Sequence, residues 1–143
     1  MDGVVNSGSI PALDSMLSFL SARLDLIAEN VANADTVGYR TKHLDTGAFQ
    51  NALGRAMRER GPTPGSPLEF KSHPEFRQEA GGKLLFTPSY LPQENILFHD
   101  RSDMRIETQM KDLAETVMMH QVVIELLQGQ YGALKKAIRG QVA

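Results

Sequence analysis

The 143-residue chain contains no cysteine, which excludes disulfides and thiolate metal sites and leaves both oxidising and reducing compartments open. No uninterrupted apolar run approaches the roughly 20 residues of a membrane-spanning helix, so no membrane span is expected. Neither sign of charge dominates: 15 Lys and Arg stand against 17 Asp and Glu, for a formal net charge of -2 at pH 7. With no Lys/Arg-rich block to make a basic face, nucleic acid is not an expected partner. Met1–Ile10 lacks the basic and apolar regions of a secretory signal. Any passage out of the cytosol is therefore expected to follow a route that reads no cleaved signal. What remains is an ordinary folding composition, 41% hydrophobic and 22% charged, at a length that suits one domain.

The clearest patterns lie at the two ends. Leu13, Leu17, Leu20, Leu24, Ile27 and Val31 are spaced 4-3-4-3-4, the heptad seam of a helix that buries one stripe. Ser9 is the expected N-cap, with Pro11 tolerated in the first turn. The stop falls in Asn33–Gly38, where Asn and Gly supply turn conformations. A longer seam runs through Ile106, Met110, Leu113, Val117, His120, Ile124, Leu127, Tyr131, Leu134 and Ile138 without a slip. It predicts a helix from about Asp103 to Arg139, on the order of 50 Å long. That exceeds the diameter of a compact domain of this size, so a rod is expected rather than a globule. Ser102 or Asp103 is the expected cap, and Lys135, Lys136 and Arg139 suit the negative end of the helix dipole.

Between the seams, His43–Arg60 reads as a shorter helix through Ala48, Phe49, Ala52, Leu53, Ala56 and Met57, ended by Gly61–Pro62. Pro62, Pro64, Pro67, Pro74, Pro88 and Pro92 then exclude a long helix from Gly61 to His99. Gly81–Gly82, between Phe76 and Leu84–Phe86, predicts a small β-hairpin in an otherwise irregular insert. The fold class is thus mainly α. Residues 1–40 form the first helix and its turn, 41–102 the short helix and insert, and 103–143 the long helix, which pairs with the first as a coiled-coil rod.

Candidate chemistry is sparse. His43, His73, His99 and His120 lack metal-ligand spacing, and His120, on an apolar seam, reads as a polar residue within a helical interface. No nucleophile elbow or phosphate-cradling glycine loop occurs. Asp100, Asp103 and Glu107 fit the positive end of a helix better than a calcium loop. No catalytic or metal site and no cofactor is expected. By contrast, Met118, Met119, Val122, Val123 and Leu126 widen the apolar surface beside the long seam beyond what a two-helix rod can bury. Helices from other chains are the expected cover.

The turn after the first helix carries a resemblance. Leu26–Arg40 resembles the N-terminal signature of the bacterial flagellar rod and hook proteins, approximately A-x-N-x-A-N-x-x-T-x-G-[YF]-[KR]. It matches at Asn30, Ala32, Asn33, Thr36, Gly38, Tyr39 and Arg40, with Val37 where the family often has Pro. Met110–Ile138, ending LLQGQYGALKKAI, looks like the corresponding helix of the small proximal-rod members of that family. The chain has no space for the inserted domains of hook and distal-rod members, and it lacks the Tyr-Glu-Ala-Asn-like element of other small rod members. Ser72-His73-Pro74 is similar as well, whereas Asp100–Asp103 departs from the Asp-Gly-Asn turn usual before the long helix.

The resemblance implies a structural subunit, not an enzyme, exported through the flagellar type III apparatus and polymerised in the periplasm into a hollow helical rod. That rod transmits torque from motor to hook. The implied partners are copies of the chain, other rod proteins, and the basal-body ring and export gate at the rod's base. Both seams are the expected assembly interface, and Asn30–Arg40 is the turn at the end of the first helix. A type III-secreted helical interaction protein, or a chaperone-like protein acting as a small soluble oligomer, is the alternative the helices alone would also serve.

Overall fold

The computed structural model describes residues 8–63, 65–92 and 101–140, of which 101–105 are described by backbone alone. Its elements run α1 (Ile10–Ala32), β1 (Lys42–His43), α2 (Thr46–Glu59), β2 (Phe76–Gln78), β3 (Leu84–Phe86), β4 (Ser89–Tyr90) and α3 (Arg101–Gly140). The mainly helical class expected from the seams is what folds. α1 and α3 lie antiparallel: Asn30 meets Gln109 near one end, Arg23 lies 3.6 Å from Asp112, and Met16 shares a buried cluster with Val123 and Leu127. At 40 residues, α3 is about 60 Å long and far outreaches its 23-residue partner.

The buried stripe of α1 sits one residue earlier than the leucine seam. Ala12, Met16, Phe19, Leu26 and Asn30 are buried, with Arg23 between them, whereas Leu13, Leu17, Leu24 and Val31 are half-buried flanks; Leu20 and Ile27 are buried in either register. On α3 the inward residues are Gln109, Thr116, Val123 and Leu127, while Met110, Val117, Tyr131, Leu134 and Ile138 are exposed. Ile106, Leu113, His120 and Ile124 are half-buried. The offset has a physical cause. Polar residues occupy inward positions because each is satisfied there: Thr116 donates its hydroxyl to the Asp112 carbonyl at 2.6 Å, and Gln109 accepts from Asn30 at 3.0 Å.

The insert completes the core of α1. The rings of Phe19 and Phe49 stack with centroids 4.4 Å apart, and Phe86, Phe70 and Phe76 close around Phe49 at 5.4 to 5.9 Å. The surplus apolar surface of α1 is therefore met within the chain. That of α3 is not. Every residue from Tyr131 to Gly140 is exposed, because α1 offers nothing to pack against there.

Local capping explains the element boundaries. α2 is capped by Asp45, two residues after β1 ends, whose carboxylate accepts from the Ala48 N–H at 3.0 Å. The Gly81–Gly82 hairpin forms as β2 and β3, antiparallel with Phe76 opposite Phe86, closed by Gly82 N–H donating to the Glu79 carbonyl at 2.8 Å. β1 pairs with β4, Lys42 opposite Tyr90, so the signature turn leads directly into the insert. The buried Glu75 carboxylate holds this junction, accepting from the Asp45 N–H at 2.8 Å and from the Ser89 hydroxyl, with His43 Nε2 at 3.9 Å. His73 stacks on Phe76 and accepts the Glu75 N–H through Nδ1, which makes Ser72-His73-Pro74 a turn element.

Two expectations on caps come out differently. Ser9 occupies the N-cap position of α1 in a helical conformation and makes no side-chain capping bond; its carbonyl accepts the Leu13 N–H at 2.9 Å. α3 is already helical at Arg101, so Ser102 and Asp103 lie within it rather than ahead of it; their side chains lie outside the described residues, as does Asp100.

Candidate functional site: the signature turn and the faces of the long helix

The signature residues converge on one amide. Asn30, 5% exposed, donates through Nδ2 to the Lys42 carbonyl at 2.7 Å and to Gln109 Oε1 at 3.0 Å. Its Oδ1 accepts the Tyr39 hydroxyl at 2.8 Å and the Lys42 N–H at 3.2 Å. An asparagine amide offers two donor hydrogens and one oxygen with two lone pairs, so every capacity is used. One side chain thus ties the end of α1, the returning strand β1 and the long helix α3 together.

The turn is built around that knot. Asn33 ends α1, with its Nδ2 donating to the Glu29 carbonyl at 2.9 Å and its own carbonyl accepting the Thr36 N–H at 3.0 Å. The Thr36 hydroxyl reaches Asn33 Oδ1 at 3.3 Å, and the Tyr39 N–H donates to the Thr36 carbonyl at 3.2 Å. Gly38 takes φ 80°, a conformation costly for any residue with a Cβ, which accounts for glycine at this position of the signature. Val37, at the tip, is fully exposed. Arg40 lies over the Tyr90 ring at 4.6 Å, a cation–π contact that fastens the turn to β4. Ala32 is the exposed last residue of α1.

Electrostatics reinforce the same junction. Lys42 Nζ meets Glu29 Oε1 at 2.8 Å, and this hydrogen bond holds the ammonium above its ordinary pKa. Burial, aided by the Glu29 charge, pushes the Tyr39 phenol up as well. Arg23 turns inward, donating to the Thr46 hydroxyl at 2.6 Å and facing Asp112 at 3.6 Å. Gln109, Arg23 and Asp112 escaped the apolar seam analysis. For Arg23 the signal is present all the same: positions 12, 16, 19, 23, 26 and 30 keep a 4-3-4-3-4 spacing once polar residues are admitted.

Among the described residues no group of His, Asp and Glu could hold a metal, and no helix is long and apolar enough to cross a membrane. A small cavity, about 20 Å³, lies beside the knot between Asn30, Tyr39, Thr41 and Gln109, on the scale of a single water. Among the described residues, most of the exposed large apolar side chains lie on α3: Met110 and Val117 on one flank, Met118, Val122 and Leu126 on another, and Tyr131, Leu134 and Ile138 on the projecting end.

The fold is an antiparallel helix pair with a knotted turn and exposed apolar side chains along the long helix. Residues 15–40 match the family described as flagella basal body rod protein. Over 135 residues the chain is 24% identical to the flagellar basal body rod protein FlgB of Bacillus subtilis (strain 168), covering 94% of this chain and 95% of that protein. It is 22% identical over 125 residues to FlgB of Aeromonas hydrophila, covering 87% and 88%. The chain is thus similar to flagellar basal-body rod proteins at the signature and, in both relatives, over most of its length.

Proposed function

We infer that the chain is a structural subunit that polymerises, with copies of itself and other rod proteins, into the hollow periplasmic shaft that carries torque from motor to hook. The observation that carries this reading is the outward surface of α3, where Met118 is 69% and Ile138 58% exposed on a helix whose partner has ended or faces elsewhere. Left open, an apolar surface of this extent promotes aggregation; covered by neighbouring helices, it is an interface. Contacts between unlike surfaces that do not close on themselves generate a helical array.

The two seams divide between these roles. Leu20, Ile27 and Leu127 hold α1 to α3 or to the insert, with Leu13, Leu17, Leu24, Val31, Ile106, Leu113, His120 and Ile124 at the margins. Met110, Val117, Tyr131, Leu134 and Ile138 face outward and are assigned to contacts between chains. The signature turn, tipped by the exposed Val37, presents a second contact surface at the opposite end of α1. The role is structural rather than catalytic, and it requires no cofactor. Export through the type III apparatus, without a cleaved signal, and seating on the basal-body ring and export gate complete the proposal.

Purified basal bodies from cells carrying an epitope-marked chain supply the test. Recovery of the marked chain within the rod, localised by electron microscopy, is the expected result. A chain found only as a small oligomer in the soluble fraction of motile cells would instead favour the secreted interaction or chaperone-like role.

A further inference from the structure

The three cations of the projecting end of α3 stand apart from the rest of the chain. Although the net charge is -2, residues 126–140 include Lys135, Lys136 and Arg139 and no acid at all. None of the three makes an ion pair among the described residues, and Tyr131, Leu134 and Ile138 beside them are 55%, 37% and 58% exposed. This surface is unlike the apolar flanks nearer the middle of α3: it joins a bulky ridge to a cationic edge. An occupant must supply negative charge and room for large side chains.

The chain itself carries such a surface elsewhere. With one face of α1 against α3 and another against the phenylalanine cluster, the third points outward. There Asp14, Ser18, Ser21, Asp25, Ala28 and Ala32 are all exposed and recur at 4-3-4-3-4. The only cation of α1, Arg23, is turned inward to Asp112, so nothing basic on the helix offsets this outward face. Asp14 and Asp25 have no ion-pair partner among the described residues. Small side chains at heptad spacing let a second helix approach closely, and Tyr131, Leu134 and Ile138 repeat at the complementary 3-4 spacing.

We propose that the cationic end of α3 docks along the outward, acidic face of α1 in a second copy of the chain. It cannot reach that face of its own α1, because it runs on past the point where α1 begins, and the face is turned away from α3. The contact is therefore heterologous: each copy offers one end and one face, and the two surfaces are used by different neighbours. About 21 Å of α3, from Leu126 to Gly140, would lie on about 27 Å of α1 between Asp14 and Ala32. Opposed charges fix the register along that length and discourage end-to-end or face-to-face pairing, which would juxtapose like charges. The proposal rests on the self-assembly reading above and adds to it the pair of surfaces that meet.

Charge reversal in the full-length chain tests it. One variant carries Lys135→Glu, Lys136→Glu and Arg139→Glu; the other carries Asp14→Lys and Asp25→Lys. All five positions are exposed, and circular dichroism verifies that helix content is kept. In sedimentation velocity, the unaltered chain is expected to associate with rising concentration, less so at high salt. Each variant alone should associate at least about tenfold more weakly, because like charges now face each other. An equimolar mixture of the two should regain association, as should a single chain carrying all five substitutions, which separates lost contact from damaged folding. If the unaltered chain associates and both variants associate equally well, the contact is wrong while self-assembly stands. Variants that stay monomeric when mixed also overturn it. An unaltered chain that remains monomeric at every concentration and salt removes the self-assembly reading together with this inference.

Discussion

Truncating Asn30 to alanine deletes four hydrogen bonds at once, and the structure allows the cost to be apportioned. Gln109, 9% exposed, loses the partner of its Oε1 in a place that solvent reaches poorly. The Lys42 carbonyl and N–H and the Tyr39 hydroxyl lie nearer the surface and recover part of their bonding from water. A typical buried bond contributes about 1 kcal/mol net, and a buried acceptor left unpaired costs about 1–3 kcal/mol. The sum for Asn30→Ala is a loss of about 2–4 kcal/mol, a large part of the roughly 5–15 kcal/mol of an ordinary domain. Asn30→Asp should be no milder. It keeps the two accepted bonds but turns a carboxylate oxygen toward the Lys42 carbonyl and Gln109 Oε1, where Nδ2 had donated. Urea unfolding followed by circular dichroism measures this as a lowered midpoint at unchanged slope. Pairing Asn30→Ala with Gln109→Ala in a double-mutant cycle should reveal coupling of about 0.5 kcal/mol or more. A loss below about 0.5 kcal/mol for Asn30→Ala, the range of unremarkable surface changes, would refute the knot as the element that holds the turn to α3.

Other perturbations probe separate parts of the fold. Phe19→Ala removes a fully buried ring shared by α1 and the insert and should cost about 3–5 kcal/mol in the same unfolding measurement. Two glycine substitutions should act with opposite sign: Gly38→Ala meets no atom within 4 Å yet must adopt φ 80°, losing about 1–2 kcal/mol. Gly129→Ala, within α3 and in open space, should gain about 0.5–1 kcal/mol of helix stability. Alkaline pH should loosen the signature turn. The Tyr39 phenol and Lys42 ammonium are both raised from ordinary values of 10.0 and 10.5, so folding favours their protonated forms. Their contribution is complete below the unfolded values and is lost as pH rises through the raised ones. Melting temperatures should therefore fall above about pH 10, and Tyr39→Phe should flatten the phenol's share of that slope.

Much of this was legible in the sequence because helices write their burial as a period. The leucine seam announced α1, the unbroken run from Ile106 to Ile138 announced α3, and Gly81–Gly82 marked the turn between β2 and β3. Asn30 and Gly38 were visible as signature residues, and the structure supplies their work: an amide that joins three segments and a turn that needs positive φ. The register of the seams was not legible from apolar residues alone. Asn30, Gln109 and Thr116 lie on the inward faces, and their bonding partners are up to 79 residues away in the chain. The phenylalanine cluster escaped for a related reason. Phe19, Phe49, Phe70, Phe76 and Phe86 belong to different segments, and no local period relates them. β1 and β4, two residues each, are too short to carry an alternation.

Methionine oxidation offers the most direct measurement of whether other chains cover α3. Met118 is 69% exposed and Met110 43%, whereas Met16, at 9%, lies in the intrachain core and serves as an internal reference. Brief peroxide treatment followed by peptide mass spectrometry should oxidise Met118 and Met110 readily in the isolated chain and spare Met16. In purified basal bodies, all three should be protected. Met118 and Met110 oxidised as fast in basal bodies as in the isolated chain would contradict the account, because the outward surface of α3 would then still face water in the assembled state.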